Sequence, residues 1–189
     1  MPQYVSREDY YAAAVGILSA GGFRDLTMTA LHRRLKVSSG SFYNWFRSWP
    51  DFVQQFLGHW TDYTEQIASR AAVPQDALQR LDLLRELART VPHDAEAAIR
   101  AWGTVDPVVA AAQRAVDQRR LAVIEAAVGE VALPAADVTE LAELCLSVVI
   151  GSQLMHKPVD VDALDRHLAG VIDLVRVRAG IPLPRRPRP

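Results

Sequence analysis

The sequence is poor in the features that mark disulfide-rich and β-sheet proteins. It has one cysteine, Cys145, in 189 residues, which excludes a disulfide framework and a thiolate metal cluster. Pairs such as Asn-Gly, which form tight hairpin turns, are missing, and β-branched residues do not alternate with polar ones. Alanine is abundant instead. The whole chain is therefore predicted to be α-helical.

Signals for secretion, membrane insertion and catalysis are also missing. The first residues lack the basic-then-apolar pattern of a secretion signal, and apolar runs such as Leu144–Ile150 are expected to be too short to cross a bilayer. No Gly-x-Ser-x-Gly nucleophile motif occurs. His93 and Glu96 form a single His-x-x-Glu, which we expect on the solvated surface rather than in a metal site. We predict a cytoplasmic protein that is not an enzyme, has no membrane partner, and holds no cofactor and no metal.

Residues 27–52 contain two short helical patterns joined by a tight break. The first runs from Met28 to Leu35 behind Thr27, which can cap it, and the second runs from Ser38 to Phe46. This arrangement is typical of a helix-turn-helix, in which the second helix enters the major groove of DNA. We predict that Ser38–Phe46 is the recognition helix.

The second helix has two unlike faces. With about 3.6 residues per turn, Phe42, Trp45 and Phe46 fall on one side. The opposite face is small and hydrogen-bonding, without a carboxylate that DNA phosphates would repel. The predicted DNA contacts are Thr27, Ser38, Ser39, Gly40, Ser41, Tyr43, Asn44 and Arg47.

These side chains suit different parts of the duplex. The hydroxyls of Tyr43 and Thr27 can donate to phosphates and Arg47 can reach one by charge, whereas Asn44 suits the edge of an adenine. The alternative for Tyr43 is a half-buried place in the core. For Arg33 and Arg34 the sequence fits two interpretations equally well: a place on a solvated helix face, or a contact to the DNA backbone.

Charge is distributed unevenly along the chain. Residues 1–61 hold six basic and four acidic side chains, whereas residues 62–173 hold ten basic and eighteen acidic ones. Residues 174–189 add five arginines and no acid. A mildly basic head on an acidic body favours approach to a polyanion through the head, although such an imbalance also occurs as ordinary surface variation.

The residues of this head resemble those of the TetR family of transcriptional regulators. The family pattern has Thr, an aliphatic residue four positions later, a Gly-Val-Ser turn, and then Tyr-x-His-Phe followed by Lys. Here the corresponding residues are Thr27, Leu31, Lys36-Val37-Ser38, Tyr43-Asn44-Trp45-Phe46 and Trp49. Lys36, Trp45 and Trp49 depart from the pattern. A positive φ at Lys36 would cost about 1 kcal/mol for a residue with a Cβ.

The resemblance implies a homodimer whose last two helices form a four-helix interface. One apolar stripe lies on a helix predicted over 134–156, and another lies on a helix predicted over 160–179. The residues of the second stripe recur at near-heptad spacing. The stripes could also pack only on each other within one chain. The predicted interface residues are Leu141, Cys145, Val148, Leu164, Leu168, Val171 and Val175.

The resemblance also implies a small-molecule effector, whose identity the sequence leaves open. Trp60, Tyr63 and Trp102 could line its cavity because aromatic side chains combine apolar area with a polar tip. Plain core packing is the preferred interpretation for each of these three residues.

The chain is thus predicted to be an all-α protein of about nine helices. Residues 1–50 form the three-helix DNA-binding head, 51–179 the helical regulatory and dimerisation domain, and 180–189 a basic, proline-rich, disordered tail. The predicted function is a regulator, a repressor in particular, that binds double-stranded operator DNA and is released by a small apolar effector. The alternative is a helical small-molecule carrier or bundle enzyme with a degenerate head. A regulator without any ligand is a third possibility.

Overall fold

The computed structural model describes residues 5–74 and 76–184, and across these ranges it consists of nine α-helices and one 3₁₀ turn, with no strand. This confirms the all-α prediction. The helices are α1 (Arg7–Gly21), α2 (Met28–Leu35), α3 (Ser39–Tyr43), α4 (Trp49–Ala71), α5 (Ala77–Ala88), α6 (His93–Gly103), α7 (Pro107–Gly129), α8 (Ala135–Met155) and α9 (Val161–Arg178). Residues 185–189 of the tail predicted over 180–189 lie outside the described residues, as does Gln75.

Local side-chain hydrogen bonds fix the first helices. At the start of α1, the Ser6 hydroxyl accepts from the Asp9 backbone N–H at 3.2 Å and the Asp9 carboxylate accepts from the Ser6 N–H at 2.8 Å, forming a capping box. Gly22 ends this helix with φ 88°, a conformation that costs glycine little. The Thr27 hydroxyl accepts from the Ala30 N–H at 3.1 Å and caps α2, as predicted.

The helix predicted over Ser38–Phe46 is shorter than the sequence indicates. Helix α3 ends at Tyr43 rather than Phe46, and Ser38 precedes it without a side-chain capping bond. The chain leaves the helix gradually, because the N–H groups of both Trp45 and Phe46 still donate to the Phe42 carbonyl, each at 3.0 Å. A doubly used carbonyl is typical of a tightened last helical turn.

Three of the later helices begin behind an aspartate cap, whereas α6 and α8 begin behind Pro92 and Pro134. The Asp76, Asp106 and Asp160 side chains each accept from a backbone N–H of the helix that follows. Asp94 lies in the first turn of α6, behind Pro92 at the N-cap position. In the first turn the carboxylate still suits the positive end of the helix dipole.

The chain divides into two compact units, of which the first comprises Met1–Tyr63 and Pro92–Val116. In this unit α1 packs on both α2 and α6. Its core is rich in aromatic side chains from α1, α3 and α4. The unit therefore joins the helix-turn-helix to α6, a helix that the sequence assigned to the regulatory domain.

The second unit comprises Thr64–Val91 and Asp117–Pro189. Helix α9 packs there against both α8 and α5. Ion pairs reinforce these contacts: Arg85 meets Asp165 at 2.8 Å, and Arg178 meets both Asp137 and Glu140 at 3.0 Å. Such part-exposed pairs each contribute up to about 1 kcal/mol.

Helix α8 is unusually apolar and poorly covered. Its 21 residues include a window of mean hydropathy 1.4, of which 22% is buried in one chain. By length and composition alone the helix could cross a membrane, a test that core helices of soluble proteins also pass; the run Leu144–Ile150, predicted from the sequence to be too short to do so, is one part of this helix. Cys145 lies on its buried side, where burial raises the pKa of the thiol to about 11 and keeps it protonated and unreactive near neutrality.

Replacing Lys36 with glycine should stabilise the first unit by about 1 kcal/mol. Lys36 holds φ 55° and ψ 42° at the end of α2, a left-handed conformation in which its Cβ is strained. The free energy of unfolding in urea, followed by tryptophan fluorescence, measures the effect. As a matched control, Arg33→Gly inside α2 should lower stability by about 1 kcal/mol. Equal or lower stability of Lys36→Gly would contradict the strain at this turn.

Candidate nucleic-acid interface

Aromatic packing sets the orientation of α3. Phe42 and Phe46 are 0% and 1% exposed. The Tyr10 ring meets both edge-on, with centroids 5.8 and 5.4 Å away, and Phe52 lies 5.0 Å from Phe46. Edge-to-face rings at these distances add to the stabilisation from burial. The apolar side of α3 is therefore fixed against α1 and α4.

The opposite side of α3 is open to solvent. Ser39, Gly40 and Asn44 are exposed, and Tyr43 is 57% exposed. A Cβ added to Gly40 would meet only the Ser38 hydroxyl oxygen, at 3.9 Å, so packing inside the chain does not require glycine here. The space above Gly40 is available to a molecule that approaches from outside.

Ser41 differs from its neighbours on this helix. It is half-buried, and its hydroxyl oxygen accepts from the Tyr10 hydroxyl at 3.1 Å. This bond turns Ser41 toward α1, at the margin of the exposed face rather than within it. Of the predicted DNA contacts, the one from Ser41 to a base edge has the least support, because its hydroxyl oxygen already accepts a hydrogen bond within the chain.

Thr27 and Arg47 lie at the ends of the motif and both are exposed. The Thr27 oxygen accepts in its cap and its hydroxyl hydrogen remains a possible donor. The Arg47 backbone N–H donates to an Asp51 oxygen at 2.7 Å. That bond is the largest cause of a pKa of the Asp51 carboxyl below its usual range, and a hydrogen bond from the Gln55 side chain is the next largest. The carboxylate therefore stays ionised in its capping role at the start of α4.

Three arginines line an open groove beside α2. Arg24, Arg33 and Arg34 border this groove together with Thr27. The guanidinium of Arg34 lies against α1, in the space that a side chain at Gly16 would occupy. This position favours a role in helix packing for Arg34. Arg33 is exposed, and both of its alternatives remain open.

The aromatic residues predicted to line a ligand cavity occupy different environments. Trp60 is 5% exposed within the core of the first unit, in agreement with the preferred interpretation as core packing. Trp102 is half-buried, and its ring is nearly parallel to that of Phe23 at 6.4 Å. Tyr63 is half-buried on α4. Their ligand-binding role stays a prediction.

The placement of His93 and Glu96 overturns a sequence prediction. Both were expected on the solvated surface, but they are 3% and 1% exposed. The Trp60 indole N–H donates to a Glu96 carboxylate oxygen at 3.0 Å. This bond explains how a carboxylate can be buried here, since a buried acceptor needs a donor. The partner lies 36 positions away, so no local pattern could have revealed it. Among the described residues no group of three potential metal ligands occurs.

The residues predicted for a dimer interface pack largely within one chain. Leu141, Leu164 and Val175 are at most 1% exposed. Cys145, Leu168 and Val171 are each 7% exposed, and Val148 is half-buried. Side chains already closed to solvent have little area left for a second subunit. These side chains thus pack within the protomer, where α9 contacts both α8 and α5, and contact of α8 and α9 with a second chain stays a prediction.

Several solved structures share this architecture over almost their whole length. A transcriptional regulator from Rhodococcus sp. Rha1 matches with a TM-score of 0.74 and 17% identity, covering 92% of this chain and 97% of that one. For a TetR transcriptional regulator from Legionella pneumophila the TM-score is 0.75 at 12% identity, with 94% and 98% covered. The chain has the TetR fold.

A third structure with this TetR fold contains a ligand. It is a candidate transcriptional regulator from Saccharomonospora viridis in complex with choline, with a TM-score of 0.73, 17% identity, and 88% of this chain and 95% of that one covered. No family model and no curated protein sequence matches this chain. At such identities the likeness establishes the fold, including a helix-turn-helix head on a helical body.

Proposed function

We propose that this protein is a sequence-specific DNA-binding transcriptional regulator located in the cytoplasm. One observation carries the proposal: Ser39, Gly40 and Tyr43 of α3, and Asn44 directly after it, are exposed, while the other side of this segment is anchored by two buried phenylalanines. An outward face of small and hydrogen-bonding groups fits the major groove, where base edges present donors and acceptors. Tyr43 and Thr27 would position the helix on phosphates, and Asn44 would contact a base.

Binding to an operator requires two such heads. A helix of five residues contacts too few base pairs to specify a site, whereas two heads about 34–36 Å apart reach successive major grooves on one side of the duplex. We therefore propose a homodimer. The TetR fold of the chain supports this assembly.

The exposed side of α8 is the surface that we assign to the dimer. Leu144 and Leu154 are 39% and 64% exposed there, separated along the helix by somewhat less than three turns of about 3.6 residues. Between them lies Gly151, where an added Cβ would meet no atom within 4 Å. Apolar side chains around a small residue suit close packing against a helix of a second chain, and such exposed apolar area marks an interaction site.

For regulation we propose a small effector that favours a spacing of the two heads unsuited to the operator, so that the protein acts as a repressor. A ligand shifts such an equilibrium only through its different affinities for the two states. The packing of α6 on α1 gives a physical route from the helical body to the head. Release of bound DNA by choline chloride or by an apolar dye would support the effector; a panel of such probes without effect would favour a regulator that has no ligand.

A helical carrier or bundle enzyme with a degenerate head remains the second candidate. The departures at Lys36, Trp45 and Trp49 are its support. A carrier or enzyme would not slow the migration of DNA in a gel, whereas a DNA-binding regulator would do so in a salt-dependent way.

Replacing Tyr43 with Phe and Asn44 with Ala together should weaken binding to a duplex from the region upstream of its own gene by about tenfold to a hundredfold. The double change removes a phosphate donor and a base contact from an exposed face, so folding should be unaffected. Fluorescence anisotropy with labelled duplex measures the affinity. Gln66→Ala, on the exposed side of α4, is the matched control and should bind normally. Unchanged affinity of the double variant would mean that this face does not contact DNA.

Replacing Leu144 with Asp should convert the dimer to a monomer, because the charge would be buried between two apolar helices. Leu144 is 39% exposed in one chain, so the protomer should still fold. Sedimentation equilibrium measures the mass, and circular dichroism the helix content. Val73→Asp introduces the same charge at a site 77% exposed outside α8 and should leave the dimer intact. A dimeric Leu144→Asp variant would place the interface elsewhere.

A further inference from the structure

The exposed face of α3 carries no charged side chain, although affinity for DNA depends mainly on neutralising phosphates. Ser39, Gly40, Tyr43 and Asn44 can position the helix and contact bases. The positive charge must therefore come from residues beside α3. Two arginines lie close to its C-terminal end, Arg47 in the following turn and Arg7 in the first turn of α1.

Arg7 is held in a defined position by an aromatic ring. Its guanidinium carbon lies 5.6 Å from the centroid of the Trp45 ring, within the range of a cation–π interaction. Arg7 is exposed, whereas Trp45 is half-buried. A guanidinium held against a ring keeps N–H donors at its edge, and a fork of donors matches the geometry of a phosphate.

Trp45 is itself fixed by the chain segment that leads into α1. Its indole N–H donates to the carbonyl oxygen of Val5 at 2.9 Å, and Val5 is 7% exposed in the core of the first unit. The ring therefore forms a rigid support for Arg7. Because Trp45 directly follows Asn44, this support lies next to the exposed face of α3.

Arg7 and Arg47 share one electrostatic neighbourhood. The charges of both arginines contribute to lowering the pKa of the Asp51 carboxyl, after the hydrogen bonds from the Arg47 backbone and Gln55. Those two bonds occupy one Asp51 oxygen each, at 2.7 and 3.1 Å. Asp51 thus serves mainly as a cap, and the two guanidinium groups keep their donors for an external anion.

We propose that Arg7, supported by the Trp45 ring, binds a DNA backbone phosphate beside the half-site, and that Arg7 and Arg47 together form a phosphate clamp at the C-terminal end of α3. The clamp rests on the proposed DNA-binding function and adds a contact residue from α1. Trp45 is a positioning residue that acts through Arg7. Because the clamp binds only backbone, it strengthens binding to every duplex sequence and adds no base preference.

The salt dependence of binding tests the clamp. In a dimer Arg7→Ala removes two phosphate contacts, so the slope of log K against log salt concentration should become shallower by about two. Affinity at about 0.15 M KCl should fall by about tenfold or more, equally for the upstream duplex and for an unrelated duplex of the same length. Arg7→Lys should keep the slope and lose only part of the affinity, because it retains the charge without the planar fork.

A double-mutant cycle tests the support. Trp45→Leu should weaken binding with Arg7 present, and the pair Arg7→Ala with Trp45→Leu should be no weaker than Arg7→Ala alone. Additive losses would show that Trp45 does not act through Arg7 and would overturn its positioning role. Thermal melts followed by circular dichroism report whether Trp45→Leu still folds; if it does not, Trp45→Phe, which keeps a ring and loses the indole N–H, replaces it in the cycle.

The controls separate failure of the clamp from failure of the proposed function. Arg166→Ala removes the same charge from an exposed position on α9 and should leave the slope unchanged. If Arg7→Ala has the wild-type slope while the Tyr43 and Asn44 double variant binds weakly, the clamp is refuted and the DNA-binding face stands. If the wild-type protein binds no duplex, both proposals fail.

Discussion

The burial of Phe42 and Phe46 is the constraint on which the helix-turn-helix head depends. Helix α3 has five residues, far below the length at which an isolated helix is stable in water. Its conformation and direction are imposed by packing, and each buried phenylalanine contributes about 1.5–3 kcal/mol. The same packing that buries these two rings exposes Tyr43 and Asn44. Core stability and presentation of the contact face are thus consequences of one arrangement.

A second consequence concerns α6. The helix packs on α1 within the first unit, and its Glu96 is tied to Trp60 of α4 by a buried hydrogen bond. Removing either partner would break this buried hydrogen bond, which costs about 1–3 kcal/mol. A displacement of α6 therefore cannot leave α1 and α4 unaffected. This coupling is the route by which the proposed effector would act on the head without touching it.

The parts of this structure that follow from local chemistry could be predicted from the sequence. The Thr27 cap, the positive φ of Gly22 and the opposite exposures of Phe42 and Tyr43 each depend on residues within one or two turns. The parts that depend on distant partners could not be predicted. Glu96 is buried because Trp60 supplies a donor, and Ser41 turns inward because Tyr10, 31 positions away, bonds to it.

Periodicity has a related limit at the other end of the chain. The sequence pattern places an apolar stripe on α8 and another on α9, but a stripe of this kind does not specify which surface it will meet. Leu141 and Val175 pack inside one protomer, and the exposed side of α8 carries the surface that we assign to a second one. Only the three-dimensional packing distinguishes an internal core from an interface.

The most direct measurement of the central claim is the position of α3 on DNA. A cysteine placed at Ser39, in a protein whose native thiol is removed by Cys145→Ala, can carry an iron–EDTA group that cleaves the nearest deoxyribose units. If α3 of each protomer occupies the major groove, the upstream duplex will be cut in two narrow windows about one helical turn, or 34–36 Å, apart. Diffuse cutting, or none with the duplex bound, would contradict the account.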